Sequence, residues 1–159
     1  MDQQTDSHYL KVEPLKKAFV VMPFENNQLD ILYKSILIPA IESIFRITCN
    51  RGDDLLGSTI IVDHVLKEIR ESDFILVDLT ALNPNVMFEA GYAAALGKKI
   101  LYLARQSQHI PHNIMSERIL KYEHSHIGYE RIGKVVVSEI DTWRKSQNRA
   151  IGTNPCLPH

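Results

Sequence analysis

The chain has 159 residues, 45% of them hydrophobic, enough for one globular domain with a buried core. Eighteen basic against nineteen acidic residues leave a net charge of −1, so charge gives no support to a nucleic-acid partner. No apolar run reaches the length of a membrane span, the opening MDQQTDSH lacks a signal peptide's apolar core, and two lone cysteines, Cys49 and Cys156, offer neither a disulfide framework nor zinc spacing. The expectation is a soluble, cytoplasmic protein.

Residues 1–16 are polar and read as a flexible N-terminal arm. Ala18 to Met22 is the first strand, running into the loop Pro23-Phe24-Glu25-Asn26-Asn27. From Gln28 to Phe45, Ile31, Leu32, Ile36, Leu37, Ile41 and Ile44 recur at helical spacing, and Pro39 predicts a kink or break inside that helix. Ile47-Thr48-Cys49 is a short second strand, followed by the charged turn Arg51-Gly52-Asp53-Asp54. Ser58 or Thr59 can cap the next helix, whose apolar side is Ile60, Ile61, Val65, Leu66 and Ile69, ending near Ser72-Asp73.

The stretch FILVDLTALNPNVMFEAGYAAALGKKILYLAR then reads as one strand–helix–strand unit. Phe74 to Val77, closing on Asp78 and Leu79, is apolar enough for a buried parallel strand. After the loop Thr80–Leu82, Asn83 caps a helix with Pro84 at its first position; Gly97 stops it, and Lys98 and Lys99 suit its negative end. Val86, Ala90, Ala93, Ala94 and Gly97 form a small-residue stripe for close packing on a sheet, while Asn85, Glu89 and Tyr92 share the neighbouring face. Ile100 to Ala104 is the next strand.

SQHIPHN is loop-like, Ile114 to Arg118 makes at most one helical turn, and Ile119 to Tyr122 is a fifth, edge strand. Tyr129 to about Gln147 is an amphipathic helix with Ile132, Val135, Val136, Ile140 and Trp143 inward, so the domain spans 17–148 and residues 149–159 form a disordered tail. Strands alternating with helices imply a parallel, doubly wound α/β sheet of order 2-1-3-4-5. Its switch point falls between the first and third strands, where the loops 23–27 and 78–85 form the lips of a cleft.

Several residues are candidates for that cleft. Glu89 lies about one turn inside a helix N-terminus facing the rim, against the plain reading of a solvated glutamate. Asp78 ends the third strand and either takes a sugar hydroxyl, helps to position Glu89, or caps the following loop. Asp63 faces the cleft or solvent, and Arg51 meets a phosphate or pairs with Asp53 or Asp54. The histidine pairs His109/His112 and His124/His126 lack a third ligand, so no metal is expected. No dinucleotide or Walker glycine loop and no nucleophile elbow is present; Tyr92 and Tyr102 read first as core or rim aromatics.

FVVMPF, then RGDD with GSTIIVDHVLKEIRESD, then VDLTALNPNVMFEAGYAAALGKKILYL together resemble bacterial proteins of the nucleoside 2-deoxyribosyltransferase-like group, which is structurally related to the TIR domains that cleave NAD. The likeness covers roughly residues 17 to 125 and is most specific in NPNVMFEAGYAAALGK. It implies a flavodoxin-like, three-layer sandwich that breaks an N-glycosidic bond in a nucleoside, nucleotide or NAD without a cofactor. On the family pattern Glu89 is the catalytic carboxylate, and Asp78, Pro23 and Phe24 contact the ligand; the match of Asp63 to a family acid is looser.

A lone carboxylate suits that chemistry, because an ionised one stabilises or traps an oxocarbenium-like centre. The helix N-terminus is expected to keep Glu89 ionised at neutral pH. Deoxyribosyltransferases proper place an acid in the loop before the catalytic helix, where this chain has Asn83 and Asn85. Without that acid a neutral purine leaves poorly, whereas the nicotinamide of NAD already carries its positive charge. The expectation is therefore hydrolysis of NAD or another nucleotide, a small-molecule substrate bound also by Arg51, Asp63, Asn83, Asn85 and Tyr92. The alternative is a non-catalytic nucleotide-binding or signalling module, which by kinship alone could act in anti-phage defence. Kinship also implies a homo-oligomer, to which the helix carrying Trp143 could contribute; the competing role for Trp143 is in its own core.

Overall fold

The structure, a computed structural model, describes residues 14–24, 26–53, 62–114 and 117–152, with side chains as far as 147. Glu25, Asp54, the expected caps Ser58 and Thr59, the apolar pair Ile60 and Ile61, Cys156, and most of the expected arm and tail lie outside the described residues. Within them the apolar runs form a five-stranded, all-parallel sheet in the order β2-β1-β3-β4-β5, built from β1 (Lys17–Val21), β2 (Thr48–Arg51), β3 (Phe74–Asp78), β4 (Lys99–Arg105) and β5 (Ile119–Tyr122). The expected α/β class and strand order are the observed ones.

Every residue of β3 is buried, as a central strand covered on both faces requires. Alternation along the strands sorts their side chains into two cores. Ala18, Val20, Phe74 and Leu76 face one helical layer, and Phe19, Val21, Ile75 and Val77 face the other. The first layer holds α1 (Asn27–Ile31), a π-helical segment (Leu32–Leu37), α2 (Ile38–Phe45) and α5 (His126–Gly152). The second holds α3 (Val62–Glu71) and α4 (Pro84–Ala95).

Pro39 neither breaks nor visibly ends the first helical path. The chain passes through the π segment, in which Ile38 N–H reaches back to Tyr33 O, and Pro39 falls at the start of α2, where its missing N–H costs nothing. The wider turn shifts the phase of the helix. Leu32, Leu37 and Ile41 are buried, but Ile31 and Ile44, expected inward, are 50% and 55% exposed.

Other boundaries differ for traceable reasons. β2 starts one residue later than expected and extends to Arg51, whose guanidinium is buried among partners described below. α4 ends as expected, with Gly97 at φ +66° and the reversed bonds Gly97 N–H to Ala94 O and Lys98 N–H to Ala93 O. Ala94 and Gly97 of the expected small-residue stripe are exposed, while Val86, Ala90 and Ala93 are buried. Lys98 does not serve its own helix: its Nζ donates to Arg70 O and Ser72 O at the end of α3. α5 begins earlier than expected because Ser125 Oγ accepts from Gly128 N–H at 3.0 Å, and it continues past residue 148 to Gly152. Its Val135, expected inward, is 39% exposed, whereas Trp143 packs against the core edge-on to Phe74.

Candidate active site

The neighbouring strands β1 and β3 end on residues that face opposite layers, Val21 and Asp78. Asp78 follows Leu76 in the alternation and faces the layer of α1, α2 and α5, only 1% exposed. Its Oδ1 accepts Thr80 N–H at 2.8 Å and its Oδ2 accepts Tyr122 O–H at 2.6 Å, while the Thr80 and Tyr122 hydroxyls lie 3.2 Å apart. Burial pushes the Asp78 carboxyl above the usual carboxylate range, opposed by those hydrogen bonds; the Tyr122 hydroxyl is pushed well above the usual tyrosine value by burial and by Asp78. Of the three roles open to Asp78, the loop cap is the one seen, extended by a tyrosine from the far strand.

The loop after β3 carries unusual backbone. Ala81 and Leu82 both have left-handed φ, +62° and +46°, which costs non-glycine residues about 1 kcal/mol each. Ala81 N–H donates to Gln108 Oε1 at 2.9 Å, and Leu82 N–H to Leu79 O at 3.1 Å. Asn83 then caps α4 as expected, its Oδ1 accepting from Asn85 and Val86 N–H, and the exposed Asn85 follows.

Glu89 lies in the second turn of α4, on the layer opposite the one Asp78 faces, half-buried between exposed Phe88 and buried Ala90. Among the described residues it makes no hydrogen bond or ion pair. Burial raises its pKa from 4.5 to about 7, with no charged neighbour contributing. The expectation that the helix N-terminus keeps it ionised is therefore corrected. The dipole acts within the first turn, and Glu89 sits beyond it, so desolvation prevails.

The other lip is assembled around Arg51. Its guanidinium donates to Asp53 at 2.5 and 2.6 Å and pairs with Asp30 at 2.7 Å. It also stacks 4.5 Å from the Tyr33 ring centre and 5.9 Å from that of Phe24. At 1% exposure it is a structural hub, and the pairing with Asp53 is the one of its two expected roles that is seen. Half-buried Phe24 leans over Gly52 towards Val65 of α3, with half-buried Pro23 beside it. Asp63 is exposed in the first turn of α3. Tyr92 accepts a hydrogen bond from Arg70 Nη1 at 2.7 Å, near the C-terminal end of α3, which places its hydroxyl at the foot of the sheet rather than at the rim. Tyr102 is a core residue.

Thus Pro23, Phe24 and Arg51 gather on one lip, Asn83, Asn85 and Glu89 belong to the other, and Asp78 supports the second lip from beneath. Tyr122, Thr80 and Gln108 escaped the sequence reading. Thr80 is a near neighbour of Asp78 in the chain, whereas Tyr122 reaches it only through the β4–β5 register, in which it stands opposite Arg105. Of the histidines, His124 Nδ1 meets the Tyr129 hydroxyl and His126 faces Glu130 at 3.2 Å. Among the described residues no group of His, Cys, Asp or Glu could hold a metal ion, and no helix is long and apolar enough to cross a membrane.

The parallel 2-1-3-4-5 sheet, with its switch point between β1 and β3, places the protein in the class of doubly wound α/β folds. Residues 20–139 match the family model described as nucleoside 2-deoxyribosyltransferase, and the chain belongs to that family, whose enzymes act on nucleosides or nucleotides. Among solved structures, the CMP N-glycosidase BcmB of Clostridium botulinum is 17% identical with a TM-score of 0.58, over 80% of this chain and 99% of that one. A 2-deoxyribosyltransferase of Bacillus psychrosaccharolyticus is 17% identical with a TM-score of 0.54, over 67% of this chain and 85% of that one; both likenesses are of fold. The chain spans 64% of a Leishmania mexicana 2-desoxiribosyltransferase, which is 24% identical over 56% of this chain with a TM-score of 0.47. No curated protein sequence matches significantly.

Proposed function

We propose that this protein hydrolyses the N-glycosidic bond of a nucleotide, NAD or a (deoxy)nucleotide, with Glu89 as its catalytic carboxylate. The observation that carries the reading is the state of Glu89: half-buried, without a polar partner among the described residues, and with a pKa raised to about 7. A desolvated carboxylate that no protein group neutralises is poised for a positive charge supplied by substrate.

The C1′–N bond breaks with its electron pair leaving on the base. Ionised Glu89 stabilises the oxocarbenium-like sugar or bonds to C1′ through one oxygen. Water then supplies the oxygen at C1′, Glu89 is released, and the water proton ends on the base or in solvent. Because the pre-helix loop offers Asn83 and Asn85, a leaving group that is already cationic or only weakly basic suits this site better than a neutral purine. Hydrolysis of a nucleotide is also the activity named for one protein of similar fold, the CMP N-glycosidase. Pro23 and Phe24 close the ligand from the facing lip.

The test is incubation with NAD, CMP and the deoxynucleoside monophosphates, with chromatographic detection of free base. Release from at least one of them is expected, with a loss of roughly a thousandfold in Glu89→Gln while ligand binding persists. No release from any of them, or full turnover by Glu89→Gln, overturns the proposal. Ligand binding without turnover points instead to the non-catalytic module.

A further inference from the structure

We propose that Gln108 and Tyr122 are positioning residues that clamp the turn between β3 and α4 and thereby set the placement of Glu89. This rests on the reading of Glu89 as the catalytic carboxylate. The turn contains two consecutive non-glycine residues in left-handed conformation, Ala81 and Leu82, immediately before the capping residue of the helix that carries Glu89. Such backbone persists only where its surroundings hold it.

The holders come from outside the turn. The Gln108 side chain accepts Ala81 N–H at 2.9 Å and donates to His109 O at 3.0 Å; its own backbone is tied to Arg105 O, and its carbonyl accepts from Lys121 Nζ at 2.6 Å. Tyr122 donates to Asp78 Oδ2 and meets Thr80 Oγ1 at 3.2 Å, on the other side of the same turn. Both are anchored in β5 and the segment before it, so the far edge of the sheet governs where α4 begins. Between Asp78 and Asn83 the chain has no glycine to take up the conformation unaided.

The test compares Gln108→Ala, Tyr122→Phe and the double variant Ala81→Gly/Gln108→Ala at a temperature where circular dichroism shows all of them folded. The two single variants are expected to lower kcat roughly tenfold or more, with KM nearly constant. The double variant should regain much of what Gln108→Ala lost, since glycine holds the turn without the clamp. Carboxyl NMR, with Glu89 assigned from its disappearance in Glu89→Gln, gives a readout independent of turnover: the clamp variants should shift the Glu89 titration from about 7 towards the ordinary glutamate value. If that titration moves while no nucleotide is cleaved by any form, the hydrolase reading fails and the clamp of Glu89 stands. If the titration and, where there is turnover, kcat both match the parent protein, the clamp is overturned. A loss of kcat that only tracks the fraction folded overturns it as well.

Discussion

Asp78 and Glu89 are carboxyl groups whose proton affinities burial raises, and they differ in what surrounds them. Asp78 has its desolvation partly offset by Thr80 and Tyr122, whereas Glu89 has no such partner among the described residues. A carboxyl with a folded-state pKa near 7 and a reference value of 4.5 binds a proton more tightly when folded. Its contribution to stability therefore declines as pH rises from about 4.5 to about 7 and stays at its minimum above that. Glu89→Gln should be more stable than the parent protein at pH 8, by about 1–3 kcal/mol after allowance for partial exposure, and no more stable at pH 4.5. Urea titrations at the two pH values check this, and equal differences at both would contradict it. Activity that needs the ionised form should rise through pH 7. Arg51→Met breaks the pairs with both Asp30 and Asp53 and should cost about 2–4 kcal/mol by the same method, because it takes the guanidinium from the half-buried Asp53 and leaves Asp30 with the longer pair to Lys34 at 3.8 Å.

At the scale of elements, the strand–helix–strand unit from β3 to β4 was legible because its signals are local. The apolar runs, the cap Asn83 with Pro84, and the stop at Gly97 act within a few residues of one another. β2 was read short because its extension to Arg51 depends on Tyr33, Asp30 and Asp53 accommodating a guanidinium in the interior. The start of α5 was missed because Ser125 sits in a polar run without a distinctive pattern. Of the candidate site, the residues of the two lips could be picked out from connectivity, but the support beneath them could not, since Tyr122 and Gln108 reach it only through strand pairing. Two glycines make the packing argument testable. At Gly128 a Cβ would lie 2.2 Å from Glu123 O, a backbone atom that cannot yield, so Gly128→Ala should destabilise by about 2 kcal/mol or more despite alanine's helix preference. At Gly91, where a Cβ meets nothing within 4 Å, the same change should stabilise by about 0.5–1 kcal/mol. Thermal denaturation distinguishes the two signs.

Across the whole molecule, the two cores share one sheet, and every central strand contributes side chains to both. Neither layer can be removed without exposing the other's floor. Trp143 touches Phe74 of the central strand from near the C-terminal part of α5, so its fluorescence reports on the join between the last helix and the sheet. Urea unfolding followed by Trp143 emission should coincide with that followed by far-ultraviolet circular dichroism. An earlier fluorescence transition would show α5 detaching separately.

The connection from β4 to β5 is the one crossover described without a helix; Ile110 and Ile114 are its buried apolar anchors. Among the described crossovers a protease added to the native protein should therefore cut this one first, at the exposed His112 and Asn113 rather than at the bonded Gln106 and Gln108. The nicked halves should remain together on gel filtration, since β5 stays paired with β4 and α5 stays packed on the sheet. Two pieces joined only by their fold could then be exchanged between differently labelled samples, turning a missing helix into a handle for splitting and reconstituting the protein.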